Sequence, residues 1–468
     1  MSNYMKDLGI IHLVGIGGIG MSSIAEVLLN LGYKITGSDI ASNKNVERLK
    51  NKGIKIFIGQ NAKNVKQASI VVISSAIKKN NKELQAAYIK RVPVIRRADM
   101  LAELMRFKKS ISIGGTHGKT TTTSMISAIL DSAKFDPTVV NGGIIEAYGS
   151  NARLGKGEWM VVEADESDGT FTRLPSHYVV VTNIDKEHLD FYGDETSLNN
   201  AFRHFIESIP FYGVAFLCID NYKTNKLYKD IKYRKLVSFG FNNQANIKAV
   251  NMVVKNGLTF FDVEMDKYYK SKNKTIKNIS ISMPGKHNVR NALASIALAL
   301  ELGINHQTIK KTLKEFKGVE RRFSIIGKKN GVTFVDDYAH HPTEIRCVLE
   351  AVKSICMGKI IVIFEPHRYS RLESLFDEFA ASFNDVDTLF VTDIYEAGES
   401  NNKRITKSKI VNSIISAGNK DVRKLKNFKN LPAILLNITN IGDYVIFLGA
   451  GSISKNARLV IDKINNNK

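Results

Sequence analysis

The sequence predicts an α/β protein of three domains, and three observations lead there. Short apolar runs alternate with amphipathic stretches along nearly the whole chain, as in βαβ units built on parallel sheets. Two glycine-rich loops, at 15–20 and 114–118, each follow a strand-like run and precede a helix-like one. The length of 468 residues corresponds to about three domains at roughly 150 residues each. We divide them as 1–106, 107–321 and 322–468.

In the first domain IIHLVGI (10–16) reads as a buried strand and MSSIAEVLLNLG (21–32) as a helix closed by glycine. KITGSD (34–39), IKIFIG (54–59) and IVVISSAI (70–77) supply further strands. The second domain opens at SISIGG (110–115), followed by strand candidates at 159–165, 177–185 and 213–220. Residues 246–282 alternate and are rich in Asn and Lys, which suggests a small antiparallel insert. Residues 283–303 then read as a long helix closed by Gly303. In the third domain 331–352 is strand, loop and helix, with Pro342 at a first helical position where a missing N–H costs nothing. Runs at 359–371, 387–394 and 442–452 repeat the strand-then-loop pattern.

Composition excludes several classes. No apolar run reaches the ~18–20 residues of a membrane span, and the first residues lack the basic head of a secretory signal. The expectation is a cytoplasmic protein with no membrane partner. Cys218, Cys347 and Cys356 form no CxxC pair and no disulfide framework; they read as free thiols. The net charge of +22 could steer anionic partners, but the lysines are dispersed and not interleaved with aromatics, as a nucleic-acid platform requires. They read as a solvated surface, and no nucleic-acid partner is expected.

Gly15-Ile16-Gly17-Gly18-Ile19-Gly20 fits G-x-G-x-x-G between a strand and a helix, and Asp39 ends the next strand. Its glycines let the backbone approach a diphosphate at a helix N-terminus. The motif does not say which nucleotide, and a plain tight turn is the alternative. The second loop, Gly114-Gly115-Thr116-His117-Gly118-Lys119-Thr120-Thr121, is a P-loop shortened by one residue, with Ile113 where the standard spacing has glycine. Its N–H groups can cradle phosphates, Lys119 can reach the terminal ones, and Thr120 can ligate Mg²⁺. A dehydrogenase needs only the first loop and a simple ATPase only the second. A reaction that uses ATP and a second nucleotide-linked substrate needs both.

HLVGIGGIGMSSIAEVL (12–28), GTHGKTTTTSMI (115–126), VVEADESDGTF (161–171), NIDKEHLDFYG (183–193), GKHNVRNALASIA (285–297), ERRF (320–323), VDDYAHHPTEI (335–345) and EPHRYSR (365–371) together resemble the Mur ligase family across nearly the whole chain. That resemblance implies a Rossmann-like UDP-binding domain, a central P-loop ATPase domain and a C-terminal Rossmann-like α/β domain. It implies ATP-dependent addition of L-alanine to UDP-N-acetylmuramate through an acyl phosphate, with one or two Mg²⁺ ions and no NAD, by a monomer or weak homodimer.

By the same resemblance, Gly15, Gly17, Gly18, Gly20, Asp39 and Ser74 hold the UDP substrate. Gly114, Gly115, Thr116, His117, Gly118, Lys119, Thr120, Thr121, Asn288, Asn291, Arg322 and Asp337 hold ATP. Lys119, Glu163 and His188 are the catalytic set, and Thr120, Glu163 and His188 the metal set. His340, His367, Arg368 and Arg371 position the acceptor carboxylate and the incoming amino acid, for which the planar arginine fork is suited. Taken alone, several of these residues have plainer readings: Glu163 as a strand-end charge, His188 as a capping histidine, Asn288 and Asn291 as helix-start caps. Sibling ligases carry a modified lysine after the metal histidine; AFRHFIES (201–208) has Arg203 and no lysine, so no such modification is expected.

Three rivals stand beside this reading. A recycling ligase that attaches an intact tripeptide to the same substrate would share most motifs, although GIGGIGM and AHHPTEI favour the alanine enzyme. An NAD-dependent oxidoreductase leaves the P-loop, Glu163 and His188 without a task. A nucleic-acid-stimulated ATPase leaves the first loop unexplained.

Overall fold

Each predicted strand run holds a short strand whose C-terminal end carries a loop, and most of these strands are buried. The computed structural model describes residues 8–74, 76–145, 147–148, 150–255, 257–269, 274–400 and 404–466. Among them, three sheets organise the chain.

The first sheet has five parallel strands in the order Lys55–Ile58, Lys34–Asp39, Ile10–Val14, Ala68–Ile73, Val94–Arg96. Strand order reverses on either side of Ile10–Val14, so the crevice beyond its C-terminal end is the switch point where open α/β sheets take ligands. The helix Ile19–Asn30 begins two residues before the apolar pattern does, directly after Gly18. It buries every residue from Met21 to Leu28, Ser22, Ser23 and Glu26 included. A helix buried all round has neighbours on both sides. Here the second neighbour is the pair of strands Thr138–Ile145 and Ser150–Arg153, whose Asn151 carboxamide donates to Ile19 O (2.8 Å) and accepts from Arg48 (2.8 Å).

The second sheet continues the same apolar core. Its order is Thr275–Ile281, Leu258–Met265, Ile247–Lys255, Leu236–Gly240, Val214–Cys218, Tyr178–Val181, Lys109–Gly114, Trp159–Glu163, Thr138–Ile145, Ser150–Arg153. The strands flanking Lys109–Gly114 run parallel to it, and Ser150–Arg153 is antiparallel to its neighbour. The stretch expected to form a small antiparallel insert supplies the strands at one edge of this sheet. Its alternating pattern reflects strands with one solvated face.

The third sheet is ordered Ser324–Lys329, Val332–Asp337, Tyr444–Leu448, Ile360–Phe364, Thr388–Val391, Val422–Lys424. Only Ser324–Lys329 is antiparallel to its neighbour. By packing, Met1–Asn251 with Phe261–Ile279 and Arg290–Lys317 form one compact unit, and Met252–Phe260, Ser280–Val289 and Gly318–Lys468 form a second. Among the described residues no helix is long and apolar enough to cross a membrane.

Candidate active site

At the first loop, Gly17 N–H donates to Asp39 Oδ2 (2.8 Å), and the Asn45 carboxamide donates to Gly17 O (3.0 Å). A Cβ at Gly17 would meet Asn43, Val46 and Asp39 at 2.7–2.9 Å, so the loop is packed from outside as tightly as glycine allows. Ser74, at the end of the neighbouring strand, lies against Gly15, and its N–H donates to Val14 O (3.3 Å). Gly15, Gly17, Gly18, Asp39 and Ser74 therefore surround the switch point. Arg97, absent from the sequence-derived set, joins them: its guanidinium lies 2.9 Å from where a Cβ on Gly20 would stand, and it forms an ion pair with Asp165 (3.6 Å).

The P-loop follows Lys109–Gly114 and opens the helix Lys119–Ser132. Gly115 (φ +130°) and Gly118 (φ +83°) occupy backbone regions that favour glycine, and a side chain on Gly115 would strike Thr182 and Asn183. Asn183 holds the loop from the neighbouring strand end, taking Thr116 N–H on its carbonyl (3.1 Å) and His117 N–H on its side chain (2.8 Å). The Thr116 hydroxyl accepts from Asp185 N–H (2.8 Å), and the His117 ring pairs with Asp185 (3.1 Å). Thr121 is buried behind the loop.

Lys119 turns back under the loop. Its ammonium donates to Gly115 O (2.6 Å) and Thr116 O (3.0 Å) and meets Glu166 at 2.8 Å. Burial opposes its charge, but Glu166, Glu163 and Asp165 outweigh that and hold it well above the usual lysine range. Several carboxylates share one ammonium, and the deeply buried Glu166 is pushed up, to about 7, by burial, against the pull of Lys119. The Thr120 hydroxyl donates to Glu163 Oε1 (3.1 Å), and Gly142 N–H donates to Glu163 Oε2 (2.7 Å).

His188 has a left-handed backbone (φ 57°) ahead of the short helix Leu189–Tyr192, and its Nε2 lies 3.7 Å from Glu166 Oε1. Glu166, Glu187 and His188 bring one ligand atom each to within 4.8 Å of one another. Thr120 and Glu163 thus pair with each other as the sequence set them together, while His188 stands beside Glu166 and Glu187, which that set lacked. The signal for Glu166 was present: it is the third acid of E-A-D-E, three residues past a strand end that already carried Glu163.

Asn291 Oδ1 accepts from the Thr122 hydroxyl (3.2 Å) and lies 2.6 Å from where a Cβ on Gly118 would stand. Asn288 donates its amide to Pro284 O (2.8 Å). Both asparagines are buried on the helix Lys286–Glu301. Arg203, on Glu195–Glu207, pairs with Glu207 and Asp230.

In the second unit, Asp337 takes N–H groups of Phe323 and Ala339 on its two oxygens, both at 2.7 Å. Burial raises it to about 6, with Arg322 opposing. Arg322 lies over the Tyr338 ring and 3.8 Å from Glu344. His340 donates Nδ1–H to Tyr338 O (2.8 Å), and its ring meets His367 edge-on at 5.5 Å. His367 Nδ1 accepts from Arg371 (3.2 Å). Burial, His340 and the arginines 371, 368 and 321 push the His367 imidazole down to about 3. Arg368 carries a positive φ (65°) just ahead of the helix Tyr369–Ser374.

Known proteins repeat this plan. Family models match residues 10–109 (Mur ligase family, catalytic domain), 113–299 (Mur ligase middle domain) and 321–451 (Mur ligase, glutamate ligase domain). A UDP-N-acetylmuramate–L-alanine ligase of Agrobacterium fabrum is 51% identical over 450 residues, 96% of each chain. The same-named protein of Chelativorans sp. is 52% identical over 96% of this chain and 97% of its own. The solved UDP-N-acetylmuramate–alanine ligase of Thermotoga maritima has a TM-score of 0.83 at 30% identity, covering 98% of this chain and 100% of that one. A murein peptide ligase of Psychrobacter arcticus, at 23% identity and TM-score 0.71, covers 98% and 99% and shares the fold.

Proposed function

The chain belongs to the Mur ligase family, and from that premise we infer that it joins L-alanine to UDP-N-acetylmuramate with ATP, yielding UDP-N-acetylmuramoyl-L-alanine, ADP and phosphate for peptidoglycan synthesis. The observation that carries the reading is Lys119: a buried ammonium fixed under a phosphate loop and ringed by the carboxylates of Glu163 and Glu166.

A carboxylate is a poor electrophile in water, and ATP supplies both the leaving group and the driving force. The muramate carboxylate attacks the γ-phosphorus and ADP leaves. The alanine amine then attacks the acyl carbon, and phosphate departs from the tetrahedral intermediate. Lys119 releases its loop carbonyls to meet the terminal phosphates, offsetting the repulsion between triphosphate and carboxylate. Backbone N–H groups of 114–121 cradle the phosphates. We assign adenine to Asn288 and Asn291, the ATP ribose and phosphates to Asp337 and Arg322, and the acceptor carboxylate and alanine to His340, His367, Arg368 and Arg371.

Mur ligases use Mg²⁺ together with ATP. The donor set fits a hard divalent ion, with a hydroxyl, carboxylates and an imidazole at strand ends. Thr120 and Glu163 would hold one ion, and Glu166, Glu187 and His188 favour a second. When bound, Mg²⁺ neutralises charge on the phosphate oxygens.

The first loop takes the UDP diphosphate, with Arg97 as an added cation, and no NAD. We also propose domain boundaries at 106–107 and 321–322, just ahead of the strands Lys109–Gly114 and Ser324–Lys329.

Phosphate release tests the reading, using purified protein, Mg-ATP and UDP-N-acetylmuramate with L-alanine, glycine, L-serine or the tripeptide in separate reactions. Release that requires both the muramate and L-alanine is expected. Release with the tripeptide alone would instead make this a recycling ligase.

A further inference from the structure

We propose that Tyr395 is a positioning residue for the amino-acid subsite, acting by holding the His367 imidazole in one plane. The proposal rests on the assignment of His367 to the alanine side of the reaction.

Tyr395 lies beyond the end of the strand Thr388–Val391 and His367 beyond the end of Ile360–Phe364. Past those ends the two residues form a parallel bridge of their own. Tyr395 N–H donates to Pro366 O (2.8 Å), and Arg368 N–H donates to Tyr395 O (2.9 Å). Bonds on both sides of His367 fix the two residues in register, and paired residues in a bridge send their side chains to the same face. The rings accordingly stack, 5.4 Å between centroids and only 10° from parallel.

The tyrosine ring also packs closely against the backbone at Gly451. A Cβ on Gly451 would strike the ring, at 2.5 Å from Cδ2, so this position requires glycine as long as Tyr395 stands there. Gly451 cannot retreat easily: its N–H donates to Glu365 Oε1 (3.0 Å), and the same carboxylate takes Ser452 N–H (3.1 Å) and Ile453 N–H (3.3 Å) at the start of the final helix. Tyr395 therefore packs both on a loop held by Glu365 and on the imidazole. It is nonetheless 41% exposed, so its place is at a surface opening and not in the core.

His367 is confined on its remaining sides by the His340 edge and by Arg371. Arg371 can only donate, so Nδ1 of His367 accepts, and the proton of the neutral ring sits on Nε2. The device presents a single N–H donor at a set angle to an anionic or carbonyl oxygen. Loss of the stack frees the ring to rotate about its side-chain torsions, and small angular errors are costly where a donor must meet one substrate oxygen.

The test compares Tyr395→Leu, Tyr395→Phe and His367→Ala by steady-state kinetics, each substrate varied in turn, with melting temperatures alongside. Leucine fills space without a flat face. Tyr395→Leu is expected to raise KM for L-alanine by roughly tenfold or more while KM for ATP and for UDP-N-acetylmuramate stay within about twofold. Tyr395→Phe keeps the stack and is expected to restore the L-alanine KM. A folded Tyr395→Leu with an unchanged L-alanine KM, or failure of phenylalanine to rescue it, overturns the proposal. If His367→Ala leaves the L-alanine KM unchanged, the underlying assignment of His367 fails first. If His367→Ala raises that KM and Tyr395→Leu does not, only the role of Tyr395 is lost.

Discussion

The Lys119 ammonium stands 2.8 Å from Glu166 Oε2, with the carboxylate 2% exposed and the lysine side chain 14% exposed. The pair holds the lysine beneath the P-loop. Lys119→Ala is expected to abolish ADP formation while leaving UDP-N-acetylmuramate binding intact, because the first glycine loop, to which we assign UDP, lies on a different sheet. Calorimetric titration with the UDP substrate, set beside ADP release, checks both halves. Retained ADP formation would mean the ATP site is misassigned.

Glu163 is held from two sides, by the Thr120 hydroxyl and by Gly142 N–H. A Cβ on Gly142 would stand 2.6 Å from both Glu163 oxygens. Gly142→Ala should therefore push the carboxylate out of place without changing any charge. Both Gly142→Ala and Glu163→Gln are expected to raise the Mg²⁺ concentration for half-maximal rate by roughly tenfold or more, the usual scale for disturbing a ligand or its support. A Mg²⁺ titration in which both variants track the parent would remove Glu163 from the metal set.

Much of this was legible in the chain, for physical reasons that differ by residue. The strand end at Asp39, and strand-then-loop runs around Gly114 and Asp337, could be read because buried parallel strands are short apolar runs that stop where polar loops begin. Lys119 and Thr120 could be read because phosphate cradles need glycine at set spacings. Arg97 and Tyr395 could not. Each acts across a gap in sequence, Arg97 toward Gly20 and Asp165, Tyr395 toward His367 and Gly451, and neither sits in a local pattern. The edge strands at 247–281 were legible as strands, but not the sheet they join, because alternation reports one solvated face and is silent about the neighbour.

Arg97 is a cation beside Gly20, the last glycine of the first loop, restrained by a 3.6 Å ion pair with the half-exposed Asp165. A long pair of this kind gives way readily to a diphosphate, which offers stronger charge-assisted bonds. Arg97→Ala is expected to raise KM for UDP-N-acetylmuramate by roughly ten- to a hundredfold, with the ATP KM little changed. Arg97→Lys should recover part of the loss, since it keeps the charge without the fork. Equal KM values for the UDP substrate in all three proteins would count against any contact with the diphosphate.

Asp337 gives a dependence on pH whose sign follows from its burial. Its folded value, about 6, lies above the ordinary 3.8. Between those values the folded protein holds a proton that the unfolded chain has released. Its stabilising contribution is thus complete below the ordinary value and is lost as pH rises through about 6, by an amount on the order of 2–3 kcal/mol. Asp337→Asn cannot titrate. It also gives up one of the two N–H acceptors serving Phe323 and Ala339, so the variant should melt lower at every pH. The gap between parent and variant should narrow as pH rises from about 4.5 to about 7.5. Asp336, buried and also shifted upward, titrates in both proteins and cancels in the difference. Melting temperatures across that range decide the matter: a gap that stays constant, or widens, would show that the Asp337 carboxylate is ionised throughout and held by its two N–H bonds and Arg322 more strongly than burial opposes it.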